Sequence, residues 1–151
     1  VLIASSGYLG AYHAGASEEH ADALHKIGMA VGMIFQIVDD IIDIFSAHEQ
    51  SGKTPGTDLR EGVFTLPVLH ALREDTEVGE ELRGLLTGPL TEDEDVERAL
   101  ELLGRSQGRE KALADVHRYL AEVEAQIARL PACPATDALR LLAGYTIRRV
   151  G

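Results

Sequence analysis

Residues 35–67, FQIVDDIIDIFSAHEQSGKTPGTDLREGVFTLP, decide the reading of this chain. Asp39, Asp40 and Asp43 interrupt a segment otherwise made of Phe35, Gln36, Ile37, Val38, Ile41, Ile42, Ile44 and Phe45. An apolar helix of this kind belongs in a core, where carboxylates are costly unless something compensates them. At i, i+1 and i+4 the three acids share one side of a helix, with Gln36 one turn earlier on the same side. Two carboxylates about 6 Å apart repel by roughly 3 kcal/mol at an effective dielectric near 20. A cation between them, or retained protons, must relieve that repulsion. Hard oxygen donors with no neighbouring Cys or His pair point to a divalent ion such as magnesium. The plainer alternative is an acidic stripe on a surface helix.

The loop that follows argues against the plainer alternative. Gly52-Lys53-Thr54-Pro55-Gly56-Thr57-Asp58 carries one lysine and a further carboxylate. Magnesium usually binds through one or two carboxylates plus substrate phosphates. A lysine on a glycine-rich loop beside such a site suggests a polyphosphorylated ligand, and it is the conjunction of loop and acidic helix that carries the inference.

FQIVDDIID followed by GKTPGTDLREGVFTLPVL resembles the second aspartate-rich motif and following loop of the trans-polyprenyl diphosphate synthases. The opening VLIASSGYLGAYHAGA is similar to the helix before that motif, and LPACPATDALRLLAGYTIRR resembles the last two helices of the family. The resemblance implies an all-α fold, the C-terminal portion of an isoprenoid synthase helical bundle, with residues 1–151 forming the C-terminal half of one polyprenyl synthase domain. The family carries a first aspartate-rich motif upstream, and no second DDxxD occurs here; the run Glu92-Asp93-Glu94-Asp95 lacks apolar flanks. The chain also starts at Val1 without the family's Lys-Thr pair. On its own it is expected to be inactive.

The activity implied is prenyl transfer in isoprenoid biosynthesis: metal-assisted ionisation of an allylic prenyl diphosphate, condensation with isopentenyl diphosphate, and loss of a proton. Asp39, Asp40 and Asp43 would hold Mg2+ against the allylic diphosphate, and Lys53 would contact the same group; these four form the expected catalytic set. Asp58 would support the substrate site from behind the metal ligands. Gln36 is either a satisfied polar residue or a further substrate contact. Phe35 and Ile42 would help exclude water from the cation. Many members have a basic residue where this chain has Val63, so either Lys53 suffices for the diphosphate or affinity is lower. A homodimer is implied. The alternatives are a noncatalytic subunit of a heteromeric synthase, which would generally lose its aspartates, and a terpene cyclase of the same fold, whose second metal motif has wider spacing and Ser or Thr among its ligands.

Composition fits a cytoplasmic helical protein. At 151 residues and 45% hydrophobic content, one domain with a real core is expected. The single cysteine, Cys133, excludes an internal disulfide and fits a reducing compartment. A formal charge of −11 argues against nucleic acid. Residues 73–101 hold eleven acids and three arginines, a solvated acidic face. Ile27–Phe45 has the length of a membrane span, but aspartates near the centre cost about 2.5–3.5 kcal/mol each on insertion scales, so it is not transmembrane.

The pattern predicts helices and no strand. The first covers 1–15, with Gly7, Gly10 and Gly15 allowing close packing. Ser17 caps the second, with Glu18 and Glu19 in its first turn, and this helix runs to about 47. Gly28 and Gly32 mark close approach to a neighbouring helix. Thr65 is an N-cap with Pro67 in the first turn, and one helix runs toward Leu86. Thr91 and Glu94 read as a capping box for a helix to about 107. Two more span about 109–130 and 135–150. Arg148 and Arg149 would stabilise the last C-terminus or, as in some family members, approach a diphosphate. The six histidines form no HxxxH or HxH ligand pair.

Overall fold

The computed structural model describes residues 1–45 and 55–150, and these are all-helical, without a strand. The helices are α1 (Leu2–His13), α2 (Glu18–Phe45), α3 (Thr57–Glu61), α4 (Leu66–Leu72), α5 (Glu77–Leu85), α6 (Asp93–Arg105), α7 (Gly108–Ile127) and α8 (Pro134–Ile147). Contacts divide the chain into two compact units, Val1–Val38 with Asp115–Gly151, and Asp39–Ala114.

In the first unit, α1 is apolar nearly all round yet buries only Ala4 and Ala11. It lies close against α2 because Gly28 has no side chain: a Cβ there would stand 2.6 Å from the Ala4 Cα. Gly7 is equally confined, its Cβ position lying 2.6 Å from the Leu24 carbonyl oxygen. Gly32 and Gly10 are different. The nearest atom to a Gly32 Cβ is Ile3 Cδ1 at 3.9 Å, and nothing lies within 4 Å at Gly10, so neither position requires glycine. Ser17 caps α2 as expected, its Oγ accepting from His20 N at 3.3 Å. Ala23, Ile27 and Ile34 of α2 are buried, as are Val116, Val123 and Ile127 of α7 and Ala143 of α8. Asp22 is bridged by Lys26 and by Arg129, both at 2.9 Å. Those two hydrogen bonds, Lys26 first, hold its carboxyl below the usual carboxylate range.

The second unit buries Ile44, Leu59, Val68, Ala71, Leu82, Leu86, Leu90, Val96, Ala99, Leu102 and Leu103 as one core. The single helix expected from Thr65 to Leu86 is two helices, α4 and α5, with a break at Arg73–Thr76. Side-chain bonds stabilise the break. Thr76 caps α5, its Oγ1 accepting from Gly79 N at 3.1 Å. Arg83 donates to the carbonyls of Leu72 and Glu74 at 2.7 and 2.9 Å, which satisfies the end of α4. The buried Glu74 carboxylate accepts from Gln107 N at 2.7 Å, across the start of α7. Thr65 is the α4 N-cap by backbone, with Pro67 in the first turn, but its side chain makes no cap hydrogen bond. The capping box expected at Thr91 and Glu94 does not form: Glu92 is the N-cap of α6, and the Thr91 hydroxyl turns to the Glu92 carboxylate at 3.2 Å. The acidic 73–101 stretch is relieved locally by Arg98, which pairs with Glu81 and Glu101. No helix among the described residues is long and apolar enough to cross a membrane.

Candidate functional site

The acidic end of α2 is shaped by its apolar neighbours. Ile37, Val38, Ile41 and Ile44 are all buried, so their spacing fixes which side of the helix faces the core. Asp40 and Asp43 are drawn inside with them, at 7% and 8% exposure. Asp39 is half-buried and Gln36 exposed. Each of Gln36, Asp39, Asp40 and Asp43 is engaged by a partner. Carboxylates this dry lose most of their hydration, which favours a compensating cation beside them.

Asp43 is also tied to the segment that begins at Pro55. Its main-chain carbonyl accepts from Gly56 N at 3.1 Å, and its Oδ2 accepts from Asp58 N at 3.4 Å. Asp58 is thereby brought beside Asp43 at the start of α3, a helix too short to show in periodicity. Gly56 sits at φ 77°, where only glycine is comfortable, and a Cβ would stand 2.9 Å from Val96 Cγ1. Leu59 is fully buried, and its carbonyl accepts from Leu90 N at 3.0 Å. Arg60 pairs with Asp93 at 2.8 Å. The segment from Gly56 to Glu61 is therefore held on several sides. Val63 is exposed. Lys53, the expected diphosphate contact, lies outside the described residues.

In the other unit the Arg149 guanidinium lies 5.7 Å from the Phe35 ring centroid, within cation–π range. Arg148 turns instead toward Tyr145, at 5.9 Å. The pairing of Phe35 with Arg149 had no sequence signal, because the two residues lie far apart in the sequence. The anchoring of Asp43 had one: Pro55-Gly56 is a turn signal, although it does not say what the turn holds.

Among the described residues, no three or more His, Cys, Asp or Glu side chains converge into a ready-made metal cage. A complete protein cage is not what magnesium needs. It binds through one or two carboxylates and completes its shell with phosphate and water. The donor set on α2, hard oxygens in a nearly dry setting, fits such an ion.

A model of the family described as polyprenyl synthetase matches residues 1–103. The chain is 46% identical over 150 residues to a nonaprenyl diphosphate synthase from Mycobacterium tuberculosis, covering 99% of this chain and 45% of that protein. It is 39% identical to component 2 of a heptaprenyl diphosphate synthase from Geobacillus stearothermophilus, covering 99% of this chain and 46% of the relative. Among solved structures it matches geranylgeranyl pyrophosphate synthase from Corynebacterium glutamicum, complexed with calcium and isoprenyl diphosphate. That match has a TM-score of 0.94 and 64% identity, covering all of this chain and 47% of the other. The chain thus spans about half the length of the relatives it matches. The chain belongs to the polyprenyl synthetase family.

Proposed function

We propose that the protein is a prenyltransferase that lengthens an allylic prenyl diphosphate by condensation with isopentenyl diphosphate. The observation that carries this reading is the buried carboxylate pair Asp40 and Asp43, with Asp39 beside them, at the end of an apolar helix in a chain of this family. In the reaction the allylic C1–O bond breaks and diphosphate leaves with the electron pair. The double bond of isopentenyl diphosphate then attacks C1, and loss of a proton restores an alkene.

Asp39, Asp40 and Asp43 form the magnesium site at the acidic end of α2; the Corynebacterium relative was solved with calcium and isoprenyl diphosphate, which supports the use of a divalent ion. Magnesium, when bound, stabilises the charge that develops on the departing diphosphate. Lys53 contacts that diphosphate directly, Asp58 supports the acidic end from α3, and Gln36 takes part in substrate contact. Phe35 and Ile42 provide apolar surface that excludes water from the allylic cation. Both units belong to one domain, as the C-terminal half of a larger helical bundle, and the protein works as a homodimer in the cytoplasm. A two-component synthase is the second reading, favoured by relatives named component 2 of heptaprenyl diphosphate synthases.

The test is incorporation of labelled isopentenyl diphosphate by the whole protein supplied with an allylic diphosphate and magnesium. Extraction should yield a longer prenyl diphosphate, and EDTA should abolish it. Incorporation only on addition of a second polypeptide would favour the two-component reading, and conversion of the allylic diphosphate alone to a cyclic hydrocarbon would replace condensation with cyclisation.

A further inference from the structure

Asp43 is the last of the three aspartates, near the end of α2, and it is joined to the chain beyond the motif at two points. Gly56 N donates to its carbonyl at 3.1 Å and Asp58 N donates to its Oδ2 at 3.4 Å. The segment it meets is rigid for reasons of its own. Gly56 is locked at φ 77° with Val96 in the space a Cβ would take, Leu59 is wholly buried, and Gly62, at φ 73°, has Pro89 2.9 Å from its Cβ position. A rigid segment fastened to Asp43 by both its carboxylate and its main-chain carbonyl has its spacing from α2 set at that residue. Asp39 is the more exposed of the three acids and so the better placed for a ligand arriving from solvent.

We propose that Asp43 is a positioning residue: its carboxylate anchors the Asp58 amide to the acidic end of α2, beside the main-chain bond to Gly56, and so sets the spacing between Asp58 and Asp39. In this arrangement direct metal contact falls first to Asp39, the most exposed of the three acids. The inference sharpens the metal site proposed above and rests on that reading only for the second half of its test. An amide donor on Oδ2 also fixes the carboxylate plane, the usual way a supporting group orients an acidic site.

The first half is amide hydrogen exchange on the whole, metal-free protein, read by mass spectrometry over residues 55–62. Asp43→Ala should speed exchange at the Asp58 amide about tenfold, the effect of one lost local hydrogen bond, while the Gly56 amide keeps its main-chain acceptor. Asp43→Asn, which keeps an acceptor oxygen, should restore most of the protection, and Asp39→Ala should leave it unchanged. Gly56→Ala should release the segment from the other side and reproduce the Asp43→Ala pattern. Unchanged exchange in Asp43→Ala, or no rescue by Asn, overturns the anchor.

The second half is Mn2+ binding followed by electron paramagnetic resonance. Asp43→Asn, which keeps the acceptor oxygen, should lose distinctly less affinity than Asp39→Asn, which should lose about thirtyfold or more. Equal losses make Asp43 a ligand and overturn the division of roles. Absence of Mn2+ binding by the unaltered protein removes the metal reading itself, while the exchange result still decides the anchor.

Discussion

Single residues show how far burial can depart from composition. Glu74 is a charged residue in a strongly acidic stretch, and the sequence reads it as part of a solvated face. The structure buries it, because its Oε1 accepts from Gln107 N and its neighbour Thr76 caps the next helix. Its partner lies 33 positions away, beyond the reach of any local pattern. Glu74→Ala is expected to cost about 1.5–3 kcal/mol, since it removes the charged acceptor of the Gln107 amide, while Glu74→Gln should keep most of the stability. Urea unfolding of the two variants checks this; equal, small losses would return Glu74 to the surface. The aspartates behave differently. Their placement was legible, because isoleucines at helical spacing oblige the acids between them to go inside or to its edge. Lys53 is read from sequence alone. Lys53→Ala is expected to raise KM for the allylic diphosphate or to slow its ionisation, with stability changed by less than about 0.5 kcal/mol. Steady-state kinetics on both substrates measures it, and unchanged constants would make Lys53 a solvated loop residue.

At the scale of elements, helix starts were read well where a side chain satisfies a backbone group, and poorly where it was only able to. Ser17 caps α2 as its sequence suggests. Thr91 and Glu94 carry a capping-box signature but do not cap α6, whose N-cap is Glu92, and the Thr91 hydroxyl donates to the Glu92 carboxylate. The split of α4 from α5 was hidden for a related reason. Arg83, nine or more residues downstream, satisfies the carbonyls of Leu72 and Glu74, so the helix can stop without a glycine or proline signal. The close pairing of α1 with α2 was legible in Gly28 but overstated in Gly32. Gly28→Val should therefore destabilise by about 1–3 kcal/mol or more, through overpacking against Ala4, whereas Gly32→Ala should be tolerated. Thermal melts of both separate the positions; similar losses would contradict the packing described. The Asp22 ties to Lys26 and Arg129 predict a pH signature. Because the folded carboxyl titrates lower than the unfolded one, its contribution is present above the unfolded value of about 3.9 and fades as pH falls through the lower folded value. The melting difference between the unaltered protein and Asp22→Asn should be seen near neutrality and vanish in strong acid. A difference that persists in strong acid would assign the effect to something other than these ion pairs.

At the scale of the molecule, the described surface keeps large apolar side chains in the open: Leu2, Leu9 and Tyr12 on α1, and Leu141, Leu142 and Tyr145 on α8. Apolar area of this kind usually marks an interface. The 151-residue chain purified alone is expected to self-associate in light scattering and to show no prenyl transfer; an active monomer would refute both expectations. The all-α architecture was legible from the first motif outward, because helical periodicity persists along the chain. The arrangement of Gly56–Asp58 around Asp43 was not, since it depends on tertiary contacts to Val96 and Leu90. The central claim is that the acidic end of α2 enables departure of diphosphate from an allylic substrate. Its most direct test is labelled isopentenyl diphosphate incorporation by the whole protein and by its Asp39→Ala variant, both with magnesium and an allylic diphosphate. Asp39→Ala should fall by about a thousandfold or more, equivalent to some 4 kcal/mol of barrier, while remaining folded by circular dichroism. Near-normal incorporation by the folded Asp39→Ala protein would contradict the account.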